Sequence, residues 1–372
     1  MMMNGRYANG LKPVALLTVL LVLCFCTVGC VDQTGGSTTE ANSGTSSSSN
    51  DVTTMLEISD PEEKAAVEAA KEKVAAMDTT PRIIATSPAT ADICDRLDLD
   101  LVGVCSSTIS TIPERYKDLP TVGGAMAPDM EVIASLDPDW ILSPASLQSD
   151  LQPKYEAIDS DWAFLNLRSV TGMYRSIQEL GEIFDRQDQA QTLVDEFTTF
   201  YEDYIQKNVD KEKPKVLILM GLPGSYIIAT ENSYVGSLVA LAGGENVYAG
   251  TDQEFLTVNT EDMKTKEPDV ILRAAHALPD QVVAMFNEDF NTNDIWKHFK
   301  AVQEGRVYDL PYDQFGMSAT FQYPEALNTL QSMLYPENTD EAKAASEAAA
   351  KQAQDSHATE KTDPDMLAQA TG

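Results

Sequence analysis

Hydrophobic residues change their spacing several times along this chain, and each change marks a segment. An unbroken apolar run, Val14 to Val28, stands near the start with Arg6 and Lys12 ahead of it. Residues 31 to 54 are dominated by Ser, Thr and Gly and hold no pattern that builds a core. Residues 60 to 77, DPEEKAAVEAAKEKVAAM, put acids in a first helical turn with strong helix formers behind them, which predicts a surface helix. From Pro81 the rhythm becomes strand, helix, strand. Ile83 to Thr86 is a short apolar run, Ser87-Pro88 reads as an N-cap with proline at the first helical position, and Leu101 to Val104 is the next strand. The alternation continues to about residue 336 and predicts an α/β protein. Residues 337–372 are rich in Ala, Lys and Glu without a steady apolar stripe, so a disordered or weakly helical tail is expected.

Two longer patterns organise the globular part. In QDQAQTLVDEFTTFYEDYIQKN, residues 187–208, Ala190, Leu193, Val194, Phe197, Phe200, Tyr201, Tyr204 and Ile205 fall on one helical face. Such a helix spans roughly 30 Å. On either side of it the sequence echoes itself. MEVIASLDPDWIL (130–142) matches TEDMKTKEPDVIL (260–272), and PRIIAT (81–86) matches PKVLILM (214–220), at nearly equal offsets. The expected architecture is therefore two Rossmann-like α/β lobes joined by one long helix, and a single helical spine favours rocking over wide closure. The expected division is a signal peptide over 1–29, a flexible tether over 30–59, an extra helix over 60–80, an N-terminal lobe over 81–168, helices including the interlobe backbone helix over 169–213, a C-terminal lobe over 214–336 and the acidic tail over 337–372.

Composition narrows the partners. The 372 residues are 43% hydrophobic with a formal net charge of −32, enough apolar material for a sizeable core and the wrong sign for a phosphate backbone, so no nucleic acid is expected. The run Val14–Val28 is short for a membrane span and suits a signal peptide. It ends in TVGC, where Gly29-Cys30 resembles the lipobox of bacterial lipoproteins, which implies lipidation of Cys30 and a lipid-held protein standing off the membrane. A plain signal peptide and a retained anchor are the alternatives. Of the five cysteines, Cys94 and Cys105 remain for the globular part, either paired in an oxidising compartment or as two small buried thiols.

Enzyme chemistry has little to stand on. The chain has no G-x-S-x-G, H-E-x-x-H or C-x-x-C motif, and GLPGSY (221–226) lacks the lysine of a phosphate loop and reads as a tight turn after a strand. Three histidines occur. His357 lies in the polar tail. His298, in DIWKHFKAV, sits in an amphipathic pattern beside Trp296 and Phe299. His276 follows the apolar strand DVILRAA and precedes Pro279, at the C-terminal end of a strand, where parallel sheets hold their ligands. A satisfied structural histidine is the alternative there.

At this point four stretches, VGGAMAPDMEVI (122–133), VLILMGLPGSYIIATENSYVGSLVALAGGENVY (216–248), VILRAAHALPD (270–280) and TNDIWKHFKAVQEGRVYDL (292–310), resemble the IsdE-like haem-binding lipoproteins, the substrate-binding components of haem ABC importers. The resemblance runs from about Pro81 to Tyr335. It implies a helical-backbone binding protein on the outer face of a Gram-positive cell membrane that takes haem from surface donor proteins and passes it to an ABC permease as a monomer. It implies that the haem iron is held by Met126 from one lobe and His276 from the other. Both donors are neutral, and methionine ligation raises the reduction potential. It implies propionate contacts at the loops 86–91 and 105–110, hence at Ser87, Ala89, Ser106 and Ser107, which suits an anion at a helix start. Tyr226 and Tyr234 are expected to line the pocket, and Ala274, Ala275 and Ala277 to leave room for the porphyrin. Glu131 and Glu261, equivalent in the echo, are expected to dock on the permease, or else to be solvated helix-start acids. A ferric-siderophore or cobalamin receptor of the same fold is the runner-up, and a lipid-anchored enzyme a distant third.

Overall fold

The computed structural model describes residues 2–3, 47–108 and 110–336. The expected Cys30 anchor, His357, nearly all of the signal peptide and the acidic tail lie outside the described residues.

The N-terminal lobe is a sheet built from buried strands. After β1 (Met2–Met3), α1 (Ser47–Leu56) and α2 (Pro61–Ala75), the chain forms β2 (Ile83–Ala85), α3 (Pro88–Arg96), β3 (Leu101–Val104), a two-strand hairpin of β4 (Gly123–Gly124) and β5 (Ala127–Pro128), α4 (Met130–Ser135), β6 (Trp140–Pro144), α5 (Gln148–Tyr155) and β7 (Asp161–Leu165). The sheet order is β1-β7-β6-β2-β3, with β7, β6, β2 and β3 parallel and β1 antiparallel at the edge. Parallel strands covered on both faces need apolar residues at every position. Accordingly Ile83, Ala85, Trp140, Leu142, Ala163 and Leu165 enter one core, and Ile84, Ile141, Trp162 and Phe164 enter another on the opposite face.

Next come the helices α6 (Val170–Ile183) and α7 (Gln187–Ile205), packed closely as a pair. Gly181 permits that approach, since a Cβ there would lie 2.7 Å from the Ala190 Cβ. The expected face of α7 is observed, with Ala190, Leu193, Phe197, Tyr201 and Tyr204 buried and Val194, Phe200 and Ile205 packed partly against them. The spine is thus two helices, and α6 shares the bridging assigned to α7 alone.

The C-terminal lobe contains β8 (Lys215–Leu222), β9 (Ser225–Ala229), α8 (Tyr234–Leu241), β10 (Glu245–Asn246), β11 (Phe255–Leu256), α9 (Thr260–Thr265), β12 (Val270–Ala275), α10 (Pro279–Thr292), α11 (Lys300–Gln303), β13 (Val307–Asp309) and α12 (Tyr323–Leu334). Its order is β11-β9-β8-β12-β13, with β8, β12 and β13 parallel. GLPGSY is the tight turn expected: Leu222 pairs with Ser225, and Gly224 supplies φ +83°.

The internal echo is a structural repeat. From residue 131 to 140 and from 261 to 270 the sequence of buried, half-buried and exposed positions is identical. Asp129 and Asn259 cap the paired helices, and Asp137 and Glu267 both take positive φ before the prolines. Asp139 accepts from the Arg82 amide at 2.7 Å, as Asp269 does from the Lys215 amide at 3.0 Å.

One boundary is corrected. The tether expected over 30–59 gives way to helix α1 from Ser47, whose Val52 and Leu56 are buried. Arg175 of α6 donates two hydrogen bonds to the Met55 carbonyl and Gln178 one to that of Leu56. Each is a helix-end acceptor that needs a partner. The polar Ser/Thr composition concealed two apolar residues one helical turn apart.

Candidate functional site

The two lobes meet at the C-terminal end of β7. Arg168, three residues beyond that strand, donates from Nε to Glu254 Oε2 of the other lobe at 3.1 Å and from Nη2 to the Ala145 carbonyl of its own at 3.4 Å. The Ala319 amide donates to the Leu167 carbonyl at 2.8 Å, and the Arg96 guanidinium lies 4.0 Å over the Phe321 ring. A cavity of about 510 Å³ opens there, walled by Asn166, Arg168 and Ser169 from one lobe and Glu231, Asn232, Asp252 and Glu254 from the other. Burial raises the Glu254 carboxyl above the ordinary carboxylate range, with Arg168 acting against the rise.

Met126 occupies the turn of the β4–β5 hairpin, in which Gly124 pairs with Ala127. The hairpin is bound to the end of β3, because the Ser106 amide donates to the Gly123 carbonyl at 2.9 Å and Val122 donates to Val104. Its thioether is free of the core, as Met126 is 74% exposed. A methionine so exposed gains nothing from packing. Met130 opens α4 instead and packs partly into the core around Ile133.

His276 follows Ala275 directly at the end of β12. Its amide donates to the Gly221 carbonyl at 2.9 Å, which continues the β12–β8 ladder one step and fixes the ring's starting point. Three residues earlier, Arg273 grips Asp309 with both Nε (2.8 Å) and Nη2 (2.6 Å) and reaches Asn287 of α10 at 2.9 Å. This bidentate pair, largely buried, locks β12 to β13 and α10 beneath the histidine. His298 is exposed in a 3₁₀ turn, Asp294–His298, rather than in the helix expected.

Other expected contacts are redistributed. Ser87 caps α3, its hydroxyl accepting from the Thr90 amide at 3.1 Å, with Pro88 at the first helical position. The Ala89 amide, in that first turn, has no acceptor within its own helix. The loop 105–110, however, opens no helix among its described residues. The Ser106 amide is taken by Gly123, and the Ser107 hydroxyl accepts from Ser110. A helix thus starts at Ser87 and Ala89, and none starts at Ser106 and Ser107.

Tyr226 points under α10, where it donates to Asp289 at 2.9 Å and packs on Phe286 and Trp296. Its register partner Gly221 shows that this sheet face belongs to α10, since a Cβ on Gly221 would meet Val282 at 2.3 Å. Tyr234 begins α8 and is 2% exposed within the core. Ala274 and Ala275 face the two cores, which leaves Ala277 as the small residue beside His276. The bulky aromatic rings were consumed by packing, which apolar content alone does not distinguish from lining a cleft. The Arg168–Glu254 pair was not foreseen from the sequence. Its signal was the polar Asn-Leu-Arg-Ser after strand β7, at the end of the sheet where ligands gather.

Cys94 and Cys105 are free and buried. Burial pushes both thiols up to about 12. Glu131 and Glu261 stand exposed in the first turns of α4 and α9. Among the described residues no group of three or more His, Cys, Asp or Glu is placed to hold a metal ion, and no helix is long and apolar enough to cross a membrane.

A family model described as periplasmic binding protein matches residues 83–313. The high-affinity heme uptake system protein IsdE of Staphylococcus aureus (strain bovine RF122 / ET3-1) is 42% identical over 255 residues, 68% of this chain and 87% of that protein. The crystal structure of an ABC transporter substrate-binding protein from Listeria monocytogenes EGD-e aligns with a TM-score of 0.66 and 47% identity, covering 69% of this chain and 99% of the other. That of S. aureus IsdE complexed with heme aligns at 0.63 with 39% identity, covering 69% and 100%.

Proposed function

The chain belongs to the periplasmic binding protein family, and on that premise we propose that it captures haem between its lobes and delivers it to an ABC permease for iron acquisition. The observation that carries the reading is the pair of donors, one per lobe, in a chain 42% identical to a haem uptake protein. His276 prolongs a buried strand of one sheet, and Met126 sits on a hairpin bound to a strand end of the other.

Haem is cargo here. Imidazole and thioether bind its iron from opposite faces without adding charge, and the clamp lets go of both when the lobes part. The Ala89 amide and the start of α3 supply a place for a propionate. Lipidation at Cys30 would hold the protein on the extracellular face of the membrane, and Glu131 and Glu261 would meet cationic groups of the permease, one from each lobe.

The test is the absorption spectrum of purified protein titrated with haem, with ferric siderophore and cobalamin titrated separately. The wild type gives a six-coordinate low-spin spectrum. Met126→Ala keeps haem but loses the low-spin signature, His276→Ala loses most binding, and His298→Ala behaves as wild type. An unchanged spectrum in His276→Ala overturns the ligand assignment. Tight binding of a siderophore or cobalamin in place of haem overturns the cargo.

A further inference from the structure

Three large apolar side chains stand exposed among the described residues: Met126 at 74%, Val209 at 69% and Leu278 at 55%. Val209 lies in the linker between α7 and β8. Leu278 lies two residues after His276.

Its backbone is also out of place. Leu278 has φ +49° and ψ +59°, the left-handed region. The other non-glycine residues with positive φ among those described are Asp98, Asp137, Asp185 and Glu267. Short polar chains tolerate this region by bonding locally, whereas a leucine has only the steric penalty. Leu278 is moreover the N-cap of α10, where, as at α5, α7, α11 and α12, no side chain caps the helix. Asp60, Ser87, Asp129, Ser169, Ser233 and Asn259 all accept an amide at the corresponding position. A single asparagine would relieve the strain and cap the helix. Leucine therefore forgoes both the unstrained backbone and the cap, and its side chain stays 55% exposed. Strain that the fold does not use belongs with function.

We propose that Leu278 is a ligand-contact residue whose side chain packs on the apolar face or edge of the macrocycle on the His276 side. The left-handed turn ends β12 and starts α10 at Pro279 while keeping the isobutyl group out of the core. A flat apolar ligand covers it, and a hydrophilic iron chelate gains nothing from it. The inference rests on the haem reading above and adds a residue that discriminates by polarity.

Two consequences of opposite sign follow. Leu278→Asn relieves the backbone and supplies a cap, so the ligand-free protein melts at or above the wild-type temperature. The same change removes an apolar contact, so haem leaves faster. Covering the exposed half of a leucine corresponds to about tenfold in affinity. The experiment follows haem transfer to an excess of apomyoglobin by absorbance for wild type, Leu278→Asn, Leu278→Ala, Leu278→Gly and Val209→Asn. Thermal midpoints are measured without haem. The expected result is about tenfold faster loss in the three Leu278 variants, with the low-spin spectrum kept because His276 and Met126 are intact, and no change in Val209→Asn. Unchanged loss from the Leu278 variants of a haem-binding wild type overturns this inference alone. A lowered midpoint with unchanged loss overturns it too, and makes Leu278 a packing residue. A wild type that takes up no haem overturns the cargo reading and this inference with it.

Discussion

Single side chains divide sharply between those the core has absorbed and those it has left available. Cys94 and Cys105 are absorbed: each is about as buried as a residue can be, at 0% and 1% exposure. Only the thiolate attacks an alkylating reagent, and thiols raised to about 12 present almost none near neutrality. Neither is therefore expected to react with iodoacetamide at pH 8 in the native protein, and both should react in denaturant. Mass spectrometry of the labelled peptides reads the outcome, and rapid native labelling of either would contradict the packing described. Met126 and His276 are the opposite case, left accessible by elements that are themselves rigid. The bidentate Arg273–Asp309 pair is what makes β12 rigid beneath His276. Removing one partner of a largely buried pair costs about 3–5 kcal/mol. Arg273→Ala should show that loss in chemical denaturation, together with weaker haem binding because His276 is no longer held.

Among elements, α1 changes most between sequence and structure, while α2 forms where a helix was expected. They precede the family match, which begins at residue 83, yet they are docked along the spine. Val67 and Ala70 of α2 are buried, Lys71 pairs with Glu182 at 2.7 Å, and Lys73 pairs with Asp161. These two ion pairs are partly exposed and contribute little, so the apolar contacts carry the docking. Leu56→Ala is expected to cost about 2–5 kcal/mol of the docking of α1. Limited proteolysis should then cut near residues 47–60 first, while the lobes remain intact.

Between α2 and α6, burial holds the Glu179 carboxyl protonated, up to about 8, and Glu63 lies against it. The folded value is above the unfolded one, so this group's stability is fully present below about pH 4.5 and is lost as pH rises towards 8. Glu179→Gln keeps the shape without the titration. It should flatten the stability–pH curve across that window and raise stability at its alkaline end, as measured by denaturation at successive pH values. A curve parallel to wild type would remove Glu179 from the account.

For the molecule as a whole, the repeated helix–Pro-Asp–strand unit sets one exposed glutamate on each lobe. Glu131→Arg combined with Glu261→Arg should leave the haem spectrum intact and abolish haem-dependent growth on iron-limited medium, since both side chains lie exposed in first helical turns. Normal growth of the double variant would return both residues to the role of solvated helix-start acids. The lobes themselves are tied by more than the spine. α6 and α7 cross once, and the segment from Phe315 to Tyr323 returns to bond Leu167 and to stack on Tyr174 and Arg96.

What the chain announced by itself follows from local rules. Continuous apolar runs became doubly covered parallel strands, the eight-residue apolar face of 187–208 became the buried face of α7, and Ser87-Pro88 became a cap and first turn. The echo became a repeat down to its burial pattern. Each of these depends on neighbours a few positions away, so periodicity and capping chemistry suffice to read it. The remainder depends on what a side chain meets across the fold. Tyr226 and Tyr234 read equally well as pocket walls or core, and only the placement of α10 and α12 assigned them to packing. The loop 105–110 offered the residues of a helix start, but the β4–β5 hairpin took its amide. Helix α1 emerged from a polar stretch because Arg175 and Gln178 of α6 donate to its last carbonyls and α6 and α7 offer a surface to Val52 and Leu56. Arg168 and Glu254 are 86 residues apart in sequence, and no local pattern encodes a pair whose distance is set by how two lobes lean together.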